Sequence, residues 1–147
     1  VRVLRRALVS ATLASVLSTC VVSRAARRRT GSASAGTNAT SHWIWGERAR
    51  RVKRTDLKHT AVGYATHHAS SYFWAVFHEY WREARPRTSP AASAATITAV
   101  AYVVDYHVVP RRLTPGFERH LSGRAMFATY AAFGAGLLFV AALKRRS

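Results

Sequence analysis

The chain has 147 residues, and its 23 Lys and Arg against 6 Asp and Glu give a formal net charge of +17. Such an excess is typical of nucleic-acid-binding proteins, because phosphate contacts by Lys and Arg supply most of their nonspecific affinity. Here the cations instead bracket apolar segments, which is the distribution that anionic lipid headgroups favour. We therefore expect a membrane protein whose partners are the bilayer and its anionic headgroups, and no nucleic acid. The single Cys20 excludes an internal disulfide.

The first apolar segment covers residues 7–22 and follows three arginines, Arg2, Arg5 and Arg6. Two interpretations stay open: a short spanning helix extended by its basic flanks, or the hydrophobic region of a signal peptide. The absence of a small-residue cleavage site after the segment favours the helix. We assign residues 1–29 to this N-terminal helix or signal-like segment.

Residues 30–58 are expected to form a polar loop. The first part of this segment is rich in Gly, Ser and Thr, which favours irregular structure. Trp43 and Trp45 then precede a strongly basic stretch. Because indole rings concentrate at the headgroup layer of membranes, we expect these two residues to be interfacial anchors.

Three further segments, residues 59–81, 91–109 and 125–143, have the length of spanning helices, since a hydrocarbon core of roughly 30 Å requires about 20 residues. We expect residues 59–143 to form a three-helix membrane bundle, followed by a basic tail at residues 144–147. With the first segment, the predicted fold is an all-α integral membrane bundle of about four short helices.

The last predicted helix contains small residues at four-residue spacing, namely Ala128, Ala132 and Gly136. This pattern lets two helix backbones approach closely, so we expect helix packing at these positions. Fourteen of the 23 cations lie in the first and third loops. The positive-inside rule then places these loops in the cytoplasm of a multi-pass protein of the inner, cytoplasmic membrane. The strong preference for Arg over Lys is typical of a GC-rich bacterium.

Polar residues of three predicted helices fall at one depth. If the second and third helices form an antiparallel hairpin, residues whose numbers sum to about 173 lie opposite each other. Asp105 then lies level with His68, and His107 level with His67, while the last helix brings Thr129 to similar depth. We predict a buried polar layer of these residues: His67, His68, Asp105, His107 and Thr129.

Three roles remain open for this layer: hydrogen bonds that fix helix register, a proton or small-solute pathway, and a haem or metal site with His ligands. The sequence has no nucleophile elbow, phosphate-binding loop or zinc-protease motif. We therefore expect a non-catalytic structural, interaction or pathway role without a cofactor. A haem- or metal-binding membrane component is the alternative. A homo-oligomer or a second membrane protein is a further expected partner.

Several stretches carry a family resemblance: residues 38–46, 59–64, 67–71, 105–106 and 110–118. Through them the chain resembles a group of small uncharacterised bacterial inner-membrane proteins with several helices. The resemblance covers most of the chain from about Gly31 onward. It implies a multi-helix inner-membrane protein, and it implies no activity, cofactor or partner.

Overall fold

The computed structural model describes residues 2–146, with side chains for residues 2–143, so the side chains of the predicted basic tail lie outside it. The all-α prediction is confirmed for this part of the chain, which contains helices and no strand. The α-helices are α1 (Arg2–Thr30), α2 (Ala35–Thr40), α3 (His42–Trp45), α4 (Val62–Ala84), α5 (Pro90–Val103) and α6 (Gly123–Arg146).

The four long helices, α1, α4, α5 and α6, form an antiparallel bundle. In this bundle α1 packs against α4 and α6, and α5 packs against the same two helices from the other side. The pairing of α1 and α6 runs from Val22 and Met126 in one hydrophobic cluster to Ala7 and Leu137 in another. The connection between α4 and α5, residues 85–89, is short, which favours an antiparallel arrangement of these two helices.

α1 buries its small residues and exposes its large ones. The buried stripe consists of Ala7, Ser10, Ala11, Ala14, Ser15, Ser18, Val22 and Ala26. The exposed large side chains are Leu4, Leu8, Val9, Val16 and Leu17. A helix on the surface of a water-soluble protein has the opposite arrangement, with its large apolar side chains facing the core.

Two helices are long and apolar enough to cross a membrane: α1, and α6 over Gly123–Leu143. α4 has the length, but histidines and Glu79 interrupt its apolar character. α5 has 14 residues and continues into a π-helical turn, Val104–Val108, which extends the third predicted helix to the expected end.

The connections at one end of the bundle, residues 31–61 and 109–122, pack together and are called the cap below. The segment that we expected to be a polar loop contains the helix α2, all of whose residues are buried. Its small side chains allow a close approach to α4, where a Cβ on Gly63 would collide with the Thr37 carbonyl. The Gly/Ser-rich composition predicted a loop. The segment forms a helix because tertiary packing outweighs the low helix propensity of these residues.

Asn38 and Arg50 are buried polar residues that hold the cap together. Asn38 Nδ2 donates to the carbonyl oxygens of Val52 and Arg54, at 3.0 and 2.8 Å. Arg50, which is 3% exposed, links the two halves of the cap, because Nη2 donates to the Arg111 carbonyl at 2.8 Å and Nη1 pairs with Glu118 at 3.3 Å.

Two buried histidines complete this arginine site. Arg50 Nη2 donates to His42 Nε2 at 2.7 Å, so His42 is neutral and its Nδ1–H donates to the Ala39 carbonyl. His120 Nε2 lies 2.7 Å from the Arg50 carbonyl. Burial lowers the pKa of both imidazoles, and the positive charge of Arg50 lowers the pKa of His42 further.

Candidate functional site

A small cavity of about 40 Å³ lies inside the bundle, below the cap. It is large enough for roughly two or three water molecules. Helices α1, α4, α5 and α6, the π-helical turn and the cap all contribute to its walls, and the polar side chains are those of Ser18, Thr40, His67, Ser70, Ser71, Asp105, Thr129 and Tyr130. The cavity therefore collects hydrogen-bonding groups from the helices and from the cap.

Asp105 is the carboxylate of this cavity, and the π-helical turn positions it. The turn closes with a hydrogen bond from the Val109 N–H to the Val104 carbonyl at 3.0 Å. Asp105 is half-buried and accepts a hydrogen bond of 2.6 Å from the Tyr130 hydroxyl of α6. The Trp74 side chain of α4 also interacts with the carboxyl group. Single π-helical turns within helices are frequent at functional sites.

Two adjacent histidines of α4 bind serines of α1. His67 Nε2 lies 2.9 Å from Ser18 Oγ, and His68 Nδ1 lies 2.9 Å from Ser15 Oγ. His67 also lines the cavity, whereas His68 turns towards α1 and packs against Tyr64. These pairs hold α1 and α4 in register, because the serine hydroxyl can donate or accept as the imidazole tautomer requires.

The predicted polar layer is thus brought together in part. His67, Asp105 and Thr129 line the same cavity. Thr129 is buried, and its hydroxyl donates to the Ala125 carbonyl of its own helix. His107 is exposed and packs edge-on against Tyr102, because the turn that directs Asp105 inwards directs His107 away from α6.

A larger groove of about 710 Å³ lies next to the cavity, between α4 and the π-helical turn. Most of its lining is apolar or aromatic, and the exposed residues Ala65, Ala69 and Phe73 open it to the outer surface of the bundle. Its volume falls in the range of small-molecule sites, about 300–1,000 Å³. Trp43, Ile44 and Leu113 of the cap close one end.

The groove and the cavity share four lining residues: Trp43, Ser70, Trp74 and Asp105. These four side chains form the boundary between an apolar outer space and a polar inner one. Among residues 2–143, no Lys or Arg lines either space. When the carboxyl group of Asp105 is ionised and the imidazole of His67 is neutral, Asp105 therefore carries the formal charge of the site.

The two predicted interfacial tryptophans lie in different surroundings. Trp43 is half-buried, lines both spaces, and donates from its indole N–H to the Thr114 carbonyl at 2.9 Å. Trp45 is 45% exposed, donates to the Lys58 carbonyl at 2.8 Å, and lies beneath the Lys58 ammonium group. Both indole N–H groups therefore bond to backbone carbonyls.

The small-residue pattern of α6 is divided between two faces. Gly136 is buried, and a Cβ added there would lie 2.5 Å from Ala14 Cα. Ala132 is half-buried, and Ala128 is exposed on the outer surface. The close contact between α1 and α6 therefore depends on Gly136.

Sequence reasoning did not assign Tyr130, Trp74, Ser15 or Ser18 to the site. The phenol of Tyr130 is the one ionisable side chain within residues 125–143. This isolated polar group in an apolar segment could have indicated a role in the site. A second buried group, at the other end of the bundle, was also missed: Ser10 Oγ donates to Glu79 Oε1 at 2.5 Å. The spacing of the serines in α1 did not predict a site, because their hydrogen-bond partners are residues of α4, which lies beside α1 only in the folded protein.

The arrangement offers no evident metal site. Within the described part of the chain, no three His, Cys, Asp or Glu side chains are placed to hold a metal ion together. His67 and Asp105 have hydroxyl partners instead.

Comparison with protein families, with curated proteins and with solved structures gives no match to this chain. The resemblance to small bacterial inner-membrane proteins therefore stays a prediction.

Proposed function

We propose that the chain is an integral membrane protein in which all four long helices cross the bilayer. The support is the inverted distribution of side chains. Serines, His78 and Glu79 are buried between helices, while large apolar side chains cover the outside of every long helix. The outer residues include Leu8 and Leu17 of α1, Phe73 and Phe77 of α4, Val100 and Val103 of α5, and Phe127 and Phe139 of α6.

This distribution suits lipid for two reasons. Exposed large apolar side chains cost free energy in water and none in hydrocarbon. Polar side chains inside a membrane bundle find partners on neighbouring helices, as Ser10 does with Glu79 and Ser18 with His67. The serine contacts of α1 also favour a permanent bundle helix over a removable signal peptide.

Within this bundle we assign a non-catalytic binding function to the groove. A single observation carries the proposal: Asp105, Ser70, Trp74 and Trp43 line both the apolar groove and the polar cavity. A molecule with an apolar body and a hydrogen-bonding head fits such a site, because its body lies in the groove and its head reaches the cavity. Sites of this kind combine mostly apolar walls with a few placed polar groups.

The test uses the tryptophans that line the groove. A brominated long-chain alcohol quenches indole fluorescence on contact, so the protein in detergent micelles should show saturable quenching as this uncharged probe is added. Ala69→Phe fills the groove from α4 and should abolish the saturable part. Ala135→Phe is the matched control, because Ala135 is exposed on α6 and lies outside the groove lining.

The proposal predicts equal saturable quenching in the wild type and in Ala135→Phe. Linear quenching that is identical in all three proteins would mean that the probe only partitions into the micelle. That result would refute the binding function.

A further inference from the structure

The site has a charge preference that its shape alone does not reveal. Resting on the proposed function, we infer that the groove takes a lipophilic cation: an apolar molecule whose positive charge lies beside Asp105 and among the aromatic rings at the boundary of groove and cavity.

The charge balance of the lining is the first support. Asp105 is the acidic residue of both spaces, and within the described side chains neither space has a Lys or Arg in its lining. This is unusual in a chain of net charge +17. An anionic amphiphile would face the carboxylate without a cation to bind it, whereas a cation gains a direct partner in a medium of low dielectric constant.

The cationic residues that lie nearest in sequence to the groove lining do not offset the preference for a cation. Arg111 and Arg112 precede Leu113, which lines the cap end of the groove, but both arginines are exposed to solvent. Solvent-exposed charges are screened over about 8 Å at physiological ionic strength. Arg50, the buried cation of the cap, is paired with Glu118 and Glu47.

Aromatic side chains supply the second support. Trp43, Phe73 and Trp74 line the groove, and Tyr130 lies beyond Asp105 in the cavity. The face of an aromatic ring attracts a cation, most strongly in the case of Trp, and the attraction grows when the cation is desolvated. A carboxylate combined with several aromatic rings is the chemistry that recognises organic ammonium and phosphonium ions.

Asp105 is also prepared for such a ligand. The Tyr130 hydroxyl donates to Oδ2 at 2.6 Å, and the Trp74 side chain interacts with the same carboxyl group. These interactions hold the carboxyl group at the boundary of the two spaces.

Two probes of nearly equal size and opposite charge test the inference. Tetraphenylphosphonium and tetraphenylborate are compared by equilibrium dialysis against the protein in uncharged detergent micelles. Binding is counted as the excess over Ala69→Phe, whose filled groove reports partition into the micelle alone. We expect saturable excess binding of the cation and none of the anion, and this comparison requires no variant of Asp105.

The role of the carboxylate is then tested by Asp105→Asn, with Glu83→Gln as the matched control because Glu83 is exposed on α4 and outside the lining. We expect Asp105→Asn to weaken phosphonium binding by at least about tenfold. Glu83→Gln should leave phosphonium binding unchanged.

The outcomes separate the two proposals. Equal binding of the phosphonium and the borate, or an unchanged phosphonium affinity in Asp105→Asn, would overturn the cation preference while the alcohol still binds. Failure of all three probes to bind would overturn both the cation preference and the binding function.

Discussion

At the residue scale, the buried guanidinium of Arg50 has the largest structural task. It joins the two segments of the cap through four partners besides Glu47: His42, the Arg111 carbonyl, Thr114 and Glu118. A planar guanidinium donates hydrogen bonds to acceptors in several directions at once, and a lysine ammonium cannot reproduce this geometry.

We predict that Arg50→Met lowers the free energy of unfolding by about 3–5 kcal/mol, because it leaves buried acceptors and a carboxylate without their cation. Arg50→Lys should recover little of this loss. Thermal unfolding of the protein in detergent measures both. Glu47→Gln is the control, since the Glu47 side chain is 67% exposed and should contribute less than about 1 kcal/mol. An Arg50→Met protein as stable as wild type would contradict the assignment.

The two histidines of this site make the stability of the cap pH-dependent. The pKa values of His42 and His120 are lowered from the ordinary 6.5 in the folded protein, first by burial. As the pH falls below about 6.5, the unfolded chain therefore binds protons that the folded chain does not, and the free energy of unfolding decreases. Above that pH both histidines are neutral in either state, and their contribution is constant.

We expect unfolding temperatures in detergent to fall between about pH 7 and pH 5, with a maximum slope of about 1.4 kcal/mol per pH unit for each histidine. His42→Gln should flatten this dependence, whatever it does to stability at neutral pH. His107→Gln is the comparison variant, because His107 is exposed and lies outside the cap. Identical pH profiles for wild type and His42→Gln would be inconsistent with the lowered pKa.

At the element scale, the contact between α1 and α6 tests how small residues direct packing. The backbone of α6 at Gly136 lies directly against Ala14, so a larger side chain there has no free volume. We predict that Gly136→Val destabilises the bundle by about 1–3 kcal/mol through overpacking. Ala128→Val, on the exposed face of the same helix, should change stability by less than about 0.5 kcal/mol.

Unfolding followed by circular dichroism distinguishes these two variants. If Ala128→Val were the more destabilising variant, the face of α6 that carries Ala128 would be a packing face, as the four-residue spacing suggested. Its partner would then lie outside this chain. A second copy of the chain would then be the first partner to test.

At the scale of the whole molecule, the cap determines topology. Because Arg50 binds Glu118 and the Arg111 carbonyl, the first and third connections lie on the same side of any membrane that the bundle crosses. Fourteen of the 23 cations belong to this side, so the positive-inside rule favours a cytoplasmic cap.

Cysteine accessibility checks this arrangement. In a Cys20→Ser background, single cysteines at the exposed positions Arg51 and Arg112 should react with an impermeant thiol reagent only after the cells are opened. A cysteine at Arg87, which is exposed in the connection at the opposite end, should react in intact spheroplasts. Reaction of Arg51 and Arg112 cysteines from opposite sides would refute the bundle, and reaction of all three from one side would refute four crossings.

The sequence by itself determined the all-α class and the approximate positions of the long helices. Long, mostly apolar segments with Pro86, Pro110 or a cluster of arginines near their ends are local signals, and they are present before folding. Spacing along an assumed hairpin placed Asp105 level with His68, the residue next to the His67 that lines the cavity, because rise per residue is the same in every α-helix.

Only the tertiary structure decided which side chains meet. Asp105 faces Tyr130 whereas His107 lies at the surface, because residues two apart point to opposite sides of a helix and equal depth in a hairpin does not fix which side faces inwards. The buried helix α2 and the arginine site of the cap depend on partners up to about seventy residues away, such as His120 for Arg50. Local sequence patterns do not predict a contact between residues so far apart. The same polar residues form an ordinary loop unless a neighbouring element satisfies their hydrogen bonds.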